Sequence, residues 1–176
     1  MHIQKTIGLA ILVILTPIAS ISAQTRTSAV NQSGCRTFVD GFYKKYERTR
    51  SLQEALDRHV FGAELRPLLA EELAWQNDHP KELDLDFDPI LNTNGDPYDR
   101  YVVGSATADH GHCFVGIYGV NRETGSRELA VTAEVTRQQG RFVFVNFHYG
   151  RGKSDPDENL LGMLKNFASE RAKPAK

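Results

Sequence analysis

The chain has 176 residues, and its 21 lysines and arginines against 22 aspartates and glutamates give a formal net charge of −1. So even a balance offers no basic surface to neutralise phosphates, which excludes a nucleic acid or an anionic membrane as the expected partner. The length suits one domain around a single core.

At the N-terminus, Lys5 is followed by the apolar run IGLAILVIL, then Pro17 and the small residues IASISA. A charged start, a short apolar stretch and small residues before a cut predict a signal peptide over residues 1–23, cleaved after Ala23. A membrane span needs about 20 apolar residues, and no later stretch comes close. The mature chain is therefore expected to be soluble and exported, to the periplasm or beyond. Lys5 is the only formal charge lost with the leader, so 20 basic residues remain against 22 acidic ones, a balance of −2. Residues 24–33 are expected to be a flexible mature N-terminus, 34–170 one α+β domain, and 171–176 a tail.

Cys35 and Cys113 are the only cysteines, and both lie in the exported part. In an oxidising compartment two such cysteines ordinarily pair, and a disulfide is expected. Two buried thiols, or one reactive thiol in an electropositive site, are the alternatives.

Helices come first. CRTFVDGFYKKYERTR (35–50) carries an apolar stripe at Cys35, Phe38, Val39, Phe42 and Tyr46, the spacing of one helical face. Ser51, with Glu54 three residues on, caps a short helix over SLQEALDRHV. A third covers Glu64 to Asn77, with Pro67 in its first turn, where a missing amide costs little. KELDLDFDPILNTNGDPYDR then reads as a loop, ending on a strong turn signal.

Four strands follow, YVVGSATAD, HCFVGIYGV, RELAVTAEV and RFVFVNFHY, joined by DHG, NRETGS and TRQQG, which are hairpin joints. The third should bury Val131, Ala133 and Val135 and expose Thr132 and Glu134. The second and fourth are apolar on both faces, so part of their second face needs cover from helices or another chain. Gly104, Gly116 and Gly119 suggest bends. DPDENLLGMLKNFASERA closes the chain as an amphipathic helix opening on Asp155-Pro156. Helices followed by a meander predict an α+β fold, with N-terminal helices on a curved antiparallel sheet and a C-terminal helix.

FVDGFYKKY, DFDPILNTNGDP and AVTAEVTRQQGRFVFVNFHYG occur in an order that resembles the nuclear transport factor 2-like, or cystatin-like, cone fold. More narrowly the chain resembles an exported bacterial branch of that superfamily, domains of unknown function. Phe142 stands where a Trp is common in the final strand. The resemblance implies a cone-shaped sheet. Enzymes of the superfamily use Asp or His with Tyr inside the cone, but no local motif here matches theirs, and no residue is carried over.

The candidate residues follow from the strands and the loop. Tyr43, Phe114, Tyr118, His112, Asn146 and His148 are expected to line a pocket between the first helix and the sheet, core positions being the alternative. Asp86, Asp88 and Asp96 are the expected contacts of the 84–98 loop. Its NTNGD fragment looks like part of an EF-hand, but Ile90 and Tyr101 would occupy the first and twelfth ligand positions, which rejects that reading. Asp109, His110, His112 and His148 form the best polar cluster. His110 falls in a turn, so no metal site is assigned, no cofactor is expected, and no catalytic residue is assigned. The leading expectation is a non-catalytic binding module, of the immunity or inhibitor type, for a small ligand or a protein partner, with homodimerisation possible. The alternative is an isomerase- or dehydratase-type enzyme with His112 or His148 as base and Tyr118 or Tyr43 as donor.

Overall fold

Helix α1 (Gln32–Thr49) is capped by Asn31, whose side-chain oxygen accepts from the Gly34 amide. The computed structural model describes residues 31–81, 85–95, 98–150 and 158–173; the expected leader, Asp84, Asp96 and Asp155-Pro156 lie outside them. The apolar stripe of α1 starts at Cys35, but the helix takes in Gln32 and Ser33 from the expected N-terminal tail. Its first turn is polar and leaves no periodic signal. Helix α2 (Leu52–Asp57) is capped by Ser51, which accepts from the Glu54 amide. Helix α3 (Leu65–Asp78) holds Pro67 in its first turn.

Strands β1 (Arg100–Asp109), β2 (His112–Val120), β3 (Arg127–Gln138) and β4 (Arg141–His148) form one antiparallel sheet in sequence order. Two hairpins have two-residue turns with both φ positive, His110-Gly111 and Gln139-Gly140. Both turns match the right-handed twist of their flanking strands. Helix α4 (Leu160–Arg171) starts later than the Asp-Pro signature implied, because Asn159 caps it by accepting from Gly162 N. Four helices and a four-stranded antiparallel sheet among the described residues make the protein α+β.

The strands alternate. Cys113, Val115 and Ile117 of β2 and Val131, Ala133 and Val135 of β3 point to one face and are fully buried. That face meets α1, because Cys113 is disulfide-bonded to Cys35 across 78 residues of sequence, with the two Cα atoms 6.6 Å apart. A closed loop of that length is worth about 4 kcal/mol on the chain-entropy model. Phe42 of α1 packs its ring 4.7 Å from Phe144 of β4. Cys35, Val39, Phe42, Tyr43 and Tyr46 are all at most 3% exposed.

β4 carries a bulge that decides which side chains share a face. Glu134 pairs with Asn146, yet its neighbour Val135 pairs with Phe144, so Val145 has no opposite residue. Phe144 and Phe147, three apart, both enter the core for this reason. His148 pairs with Thr132 and is thereby turned to the face away from α1. Without the extra residue it would oppose Val131 and point into the core.

Both sheet edges are attended to. Phe61 bridges to Phe144 and Asn159 to His148 along β4. Along β1, Arg36 of α1 donates to the carbonyls of Val103 and Gly104, and Glu47 accepts from the Tyr101 amide. Such caps reduce the risk of edge-to-edge pairing. Helices α3 and α4 are locked by buried Glu72, which accepts from Arg171 and Gln76. The Arg171 guanidinium also lies 4.0 Å over the Trp75 ring.

Candidate functional site

Two polar clusters flank the sheet, one on each side. The first forms around the loop at 85–95. Leu85, Ile90 and Leu91 are buried, so the middle of this loop is a plug in the core rather than a solvated strand of aspartates. Asp88 Oδ1 accepts from Ile90 N at 2.8 Å, Leu91 N at 3.1 Å and the Tyr46 hydroxyl at 3.2 Å. Tyr43 donates to the Ile90 carbonyl and Tyr149 to the Pro89 carbonyl. Burial raises the Asp88 carboxyl pKa, against the amide and hydroxyl hydrogen bonds that lower it. Burial and the neighbouring Asp88 push the Tyr101 hydroxyl up to about 12.

The second cluster lies on the face turned away from α1. Glu134 sits between two imidazoles, its Oε1 2.6 Å from His112 Nδ1 and its Oε2 2.9 Å from His148 Nε2. His148 and Glu134 are largely covered, at 8% and 17% side-chain exposure, whereas His112 is 40% exposed. Burial would raise the Glu134 carboxyl pKa, but the hydrogen bond and charge of His148, then those of His112, outweigh it and bring it below the usual value. The His112 contact departs from ideal hydrogen-bond geometry, and Nδ1 has no other acceptor. At 2.6 Å from an acceptor-only carboxylate two lone pairs cannot face each other, so Nδ1 carries the proton. The same holds for His148 Nε2. Each ring turns one nitrogen to the carboxylate and keeps the other off it.

A cavity of about 400 Å3 opens over this cluster. Its polar wall includes Glu64, His112, Glu134, Thr136 and Gln138, and its apolar wall includes Leu65, Val145 and Leu161. Thr136 donates to the Gly111 carbonyl, and Gln138 Oε1 accepts from Ala63 N. Asn146 also lines it, with both ends of its amide used: it donates to Asn159 Oδ1 and accepts from Phe147 N and Leu161 N. A larger cleft of about 620 Å3 runs between α2 and α3, among Leu56, Pro67, Leu73 and alanines. Among the described residues its lining, which includes Asp57 and Arg66, forms no ion pair, so the chemistry points to the smaller one.

The expected pocket residues thus separate. His112 and Asn146 line the cavity, His148 joins through Glu134, and Phe114 is beside them with its ring 6.1 Å from that of His148. Tyr43 is buried on the opposite side of the sheet. Tyr118 lies across Gly104 and Gly116, where a side chain at Gly104 would collide with its ring, and Arg127 stacks on it at 4.3 Å. Of the loop aspartates, Asp86 is exposed and Asp88 turns inward. His110 is 94% exposed in its turn, beside Asp109.

Glu134, the centre of the cluster, was expected to be a solvent-facing position. Its signal is a charged residue on the same strand face as a nearby histidine, readable only once the bulge fixes register. Among the described residues no group of three or more His, Cys, Asp or Glu side chains is arranged to hold a metal ion. The imidazole nitrogens touch the carboxylate directly. No described helix is long and apolar enough to cross a membrane.

The fold and site define an α+β domain with an aromatic core on one face of its sheet and a His–Glu–His cavity on the other. Comparison with family models, curated proteins and solved structures finds no match to this chain.

Proposed function

We propose that this protein is an exported, non-catalytic binding module of the cone-fold type, and that its site is the cavity over His112 and Glu134. The observation that carries this reading is a half-exposed imidazole, held against a largely buried carboxylate, at the mouth of a cavity with an apolar wall. Export is supported by the leader-like N-terminus and by the Cys35–Cys113 disulfide, a bond that persists in oxidising compartments. Register shifts in all three strand pairs support a curved sheet. An immunity or inhibitor-type role would use the exposed rim at Asp86 and Asn94 instead, but the buried middle of that loop favours the cavity.

Proton transfer is the second reading, because Glu134 orients His112 as a carboxylate orients a catalytic base. Its expected donor Tyr43 is buried on the far side of the sheet, which weakens that reading. Small organic fragments titrated into the isotope-labelled chain test the proposal. Shifts should cluster on His112, Thr136, Val145 and Leu161. Shifts centred on Asp86–Gly95 or on the α2–α3 cleft would move the site, and turnover abolished by His112→Asn would replace binding with catalysis.

A further inference from the structure

A further cleft, of about 350 Å3, opens where the segment before α3 runs along the start of β4. Its lining includes Arg66, Arg141, His59, Gln139, Phe61 and Val143, and among the described residues no aspartate or glutamate. We propose that it binds a small organic dianion such as a phosphate monoester, whose anionic group is held by Arg66 and Arg141. Guanidinium charge does not titrate in proteins, so two positive charges border this space without help from His59. Those charges are not spent elsewhere, since among the described residues neither arginine forms an ion pair. Of the acids nearest in sequence, Glu64 is 2.6 Å from Lys165. Asp57, which lines the adjoining α2–α3 cleft with Arg66, accepts from Gln53 at 2.9 Å. Arg66 also stands in the first turn of α3, where the helix dipole has the same sign.

The backbone fixes the walls. Gly62 N donates to the Phe144 carbonyl at 2.7 Å and Phe144 N to the Val60 carbonyl at 2.9 Å, which ties residues 60–62 to β4. At the hairpin end Gln138 pairs with Arg141, and its Oε1 accepts from Ala63 N. Phe61 and Val143 are buried beneath and give an apolar floor. A cleft bordered by one sign of charge concentrates the opposite ion. Guanidiniums match the geometry of phosphate oxygens, and two of them neutralise a dianion where a monocarboxylate would leave one unmatched. The overall charge of −1 argues against a polyanion and leaves room for a small anion at a local cleft. Gln138 borders both this cleft and the cavity over His112, but the guanidiniums belong to this one alone of the two.

The test is a titration of the isotope-labelled chain with phenyl phosphate, inorganic phosphate, benzoate and benzyl alcohol, at constant ionic strength. A pH of about 8 keeps the phosphates dianionic, above their second pKa of about 6. It is read by the guanidinium signals of Arg66 and Arg141, the Ala63 amide and the Val143 methyls. Phenyl phosphate should bind about tenfold more tightly than benzoate, as expected for one further charge-assisted hydrogen bond, with benzyl alcohol weakest. Inorganic phosphate should move the same arginines but bind more weakly, because it makes no use of the floor. Arg66→Gln and Arg141→Gln should each weaken phenyl phosphate about tenfold. Both side chains are exposed, so these variants should fold. Inorganic phosphate binding as tightly as the ester overturns the organic part of the ligand. Benzyl alcohol binding as tightly as the ester overturns the proposal, as do unchanged affinities in both variants. Shifts spread evenly over exposed Arg100 and Arg122 would mean diffuse attraction and no site. Shifts on the His112 ring and Leu161 methyls instead would put the anion in the other cavity and sink this cleft while leaving that one.

Discussion

Asp88 and Glu134 are both carboxylates held largely away from solvent, one on each side of the sheet, and they differ in what their neighbours leave open. Around Asp88 the partners are donors of the chain itself: two backbone amides and a tyrosine hydroxyl meet one oxygen, while two further tyrosines donate to the carbonyls of Pro89 and Ile90. Around Glu134 the partners are imidazoles, and each has a second nitrogen not used on the carboxylate. Burial and a displaced pKa are common to both. What separates a structural carboxylate from a candidate site is the unmet hydrogen-bonding capacity of its neighbours, together with an opening through which a ligand can reach it.

The largest effect expected from breaking this contrast is at Asp88. Asp88→Ala leaves the Ile90 and Leu91 amides without acceptors in a buried loop, at a cost on the order of 3 kcal/mol. Asp88→Asn keeps an oxygen in the same place and removes a charge that burial disfavours, so its stability should stay within about 1 kcal/mol of the parent. Urea unfolding of the two variants checks this. An alanine as stable as the asparagine would mean that the loop is held by its apolar residues alone. Neither change should alter ligand binding at the cavity.

These two regions were unequally legible in the sequence. The helices, most strand limits and the first tight hairpin follow from local signals, namely the stripe of α1, the Ser51–Glu54 pair and the DHG turn. Thr136, Arg137 and Gln138 of the expected TRQQG joint are instead paired in β3 and leave only Gln139-Gly140 as the turn. The disulfide follows from cysteine count and compartment. The aspartates at 86 and 88 read as like contacts of the 84–98 loop, because alternation shows parity and cannot show that Ile90 and Leu91 pull the loop inward. The histidines at 112 and 148 were visible, but Glu134 between them was hidden by the Val145 bulge, which changes the parity of everything after it. Phe144 and Phe147 at a spacing of three were the available hint. Tyr43 and Tyr118 looked equivalent as aromatics, and only the packing of α1 puts them on opposite sides.

Acid titration sharpens the comparison, because the two carboxyls act in opposite senses. The Glu134 pKa is lowered in the fold, so its contribution is complete above the ordinary glutamate value of about 4.3. That contribution is lost as the pH falls through the lower folded value. The Asp88 pKa is raised, so its contribution is present below the ordinary aspartate value and is lost as the pH rises through the higher folded one. Stability measured by urea midpoint from neutral to acid pH should therefore respond differently to two amide substitutions. Glu134→Gln should make the chain less sensitive to acid, while Asp88→Asn should make its loss of stability on acidification steeper. Equal and parallel changes would show that the imidazoles do not bind the Glu134 carboxylate as placed.

The smallest expected effects distinguish the tyrosines within the Asp88 cluster. Tyr149→Phe removes the hydroxyl that donates to the Pro89 carbonyl, an acceptor in a buried stretch, and should cost about 1 kcal/mol. Tyr46→Phe removes one of three donors to Asp88 and leaves the two amides in place, so it should cost less. It also removes an interaction that favours the ionised carboxyl, and Asp88 should become harder to ionise. The two variants, compared by urea unfolding at neutral pH and again below the aspartate range, should therefore move further apart in acid, with Tyr149→Phe remaining the costlier. Protonation of Asp88 erases most of what Tyr46 contributes, while the Tyr149 bond to a carbonyl is indifferent to pH. A Tyr46→Phe cost that persists unchanged into acid would place its contribution in ring packing against Phe42, whose centroid is 5.5 Å away, rather than in the hydroxyl.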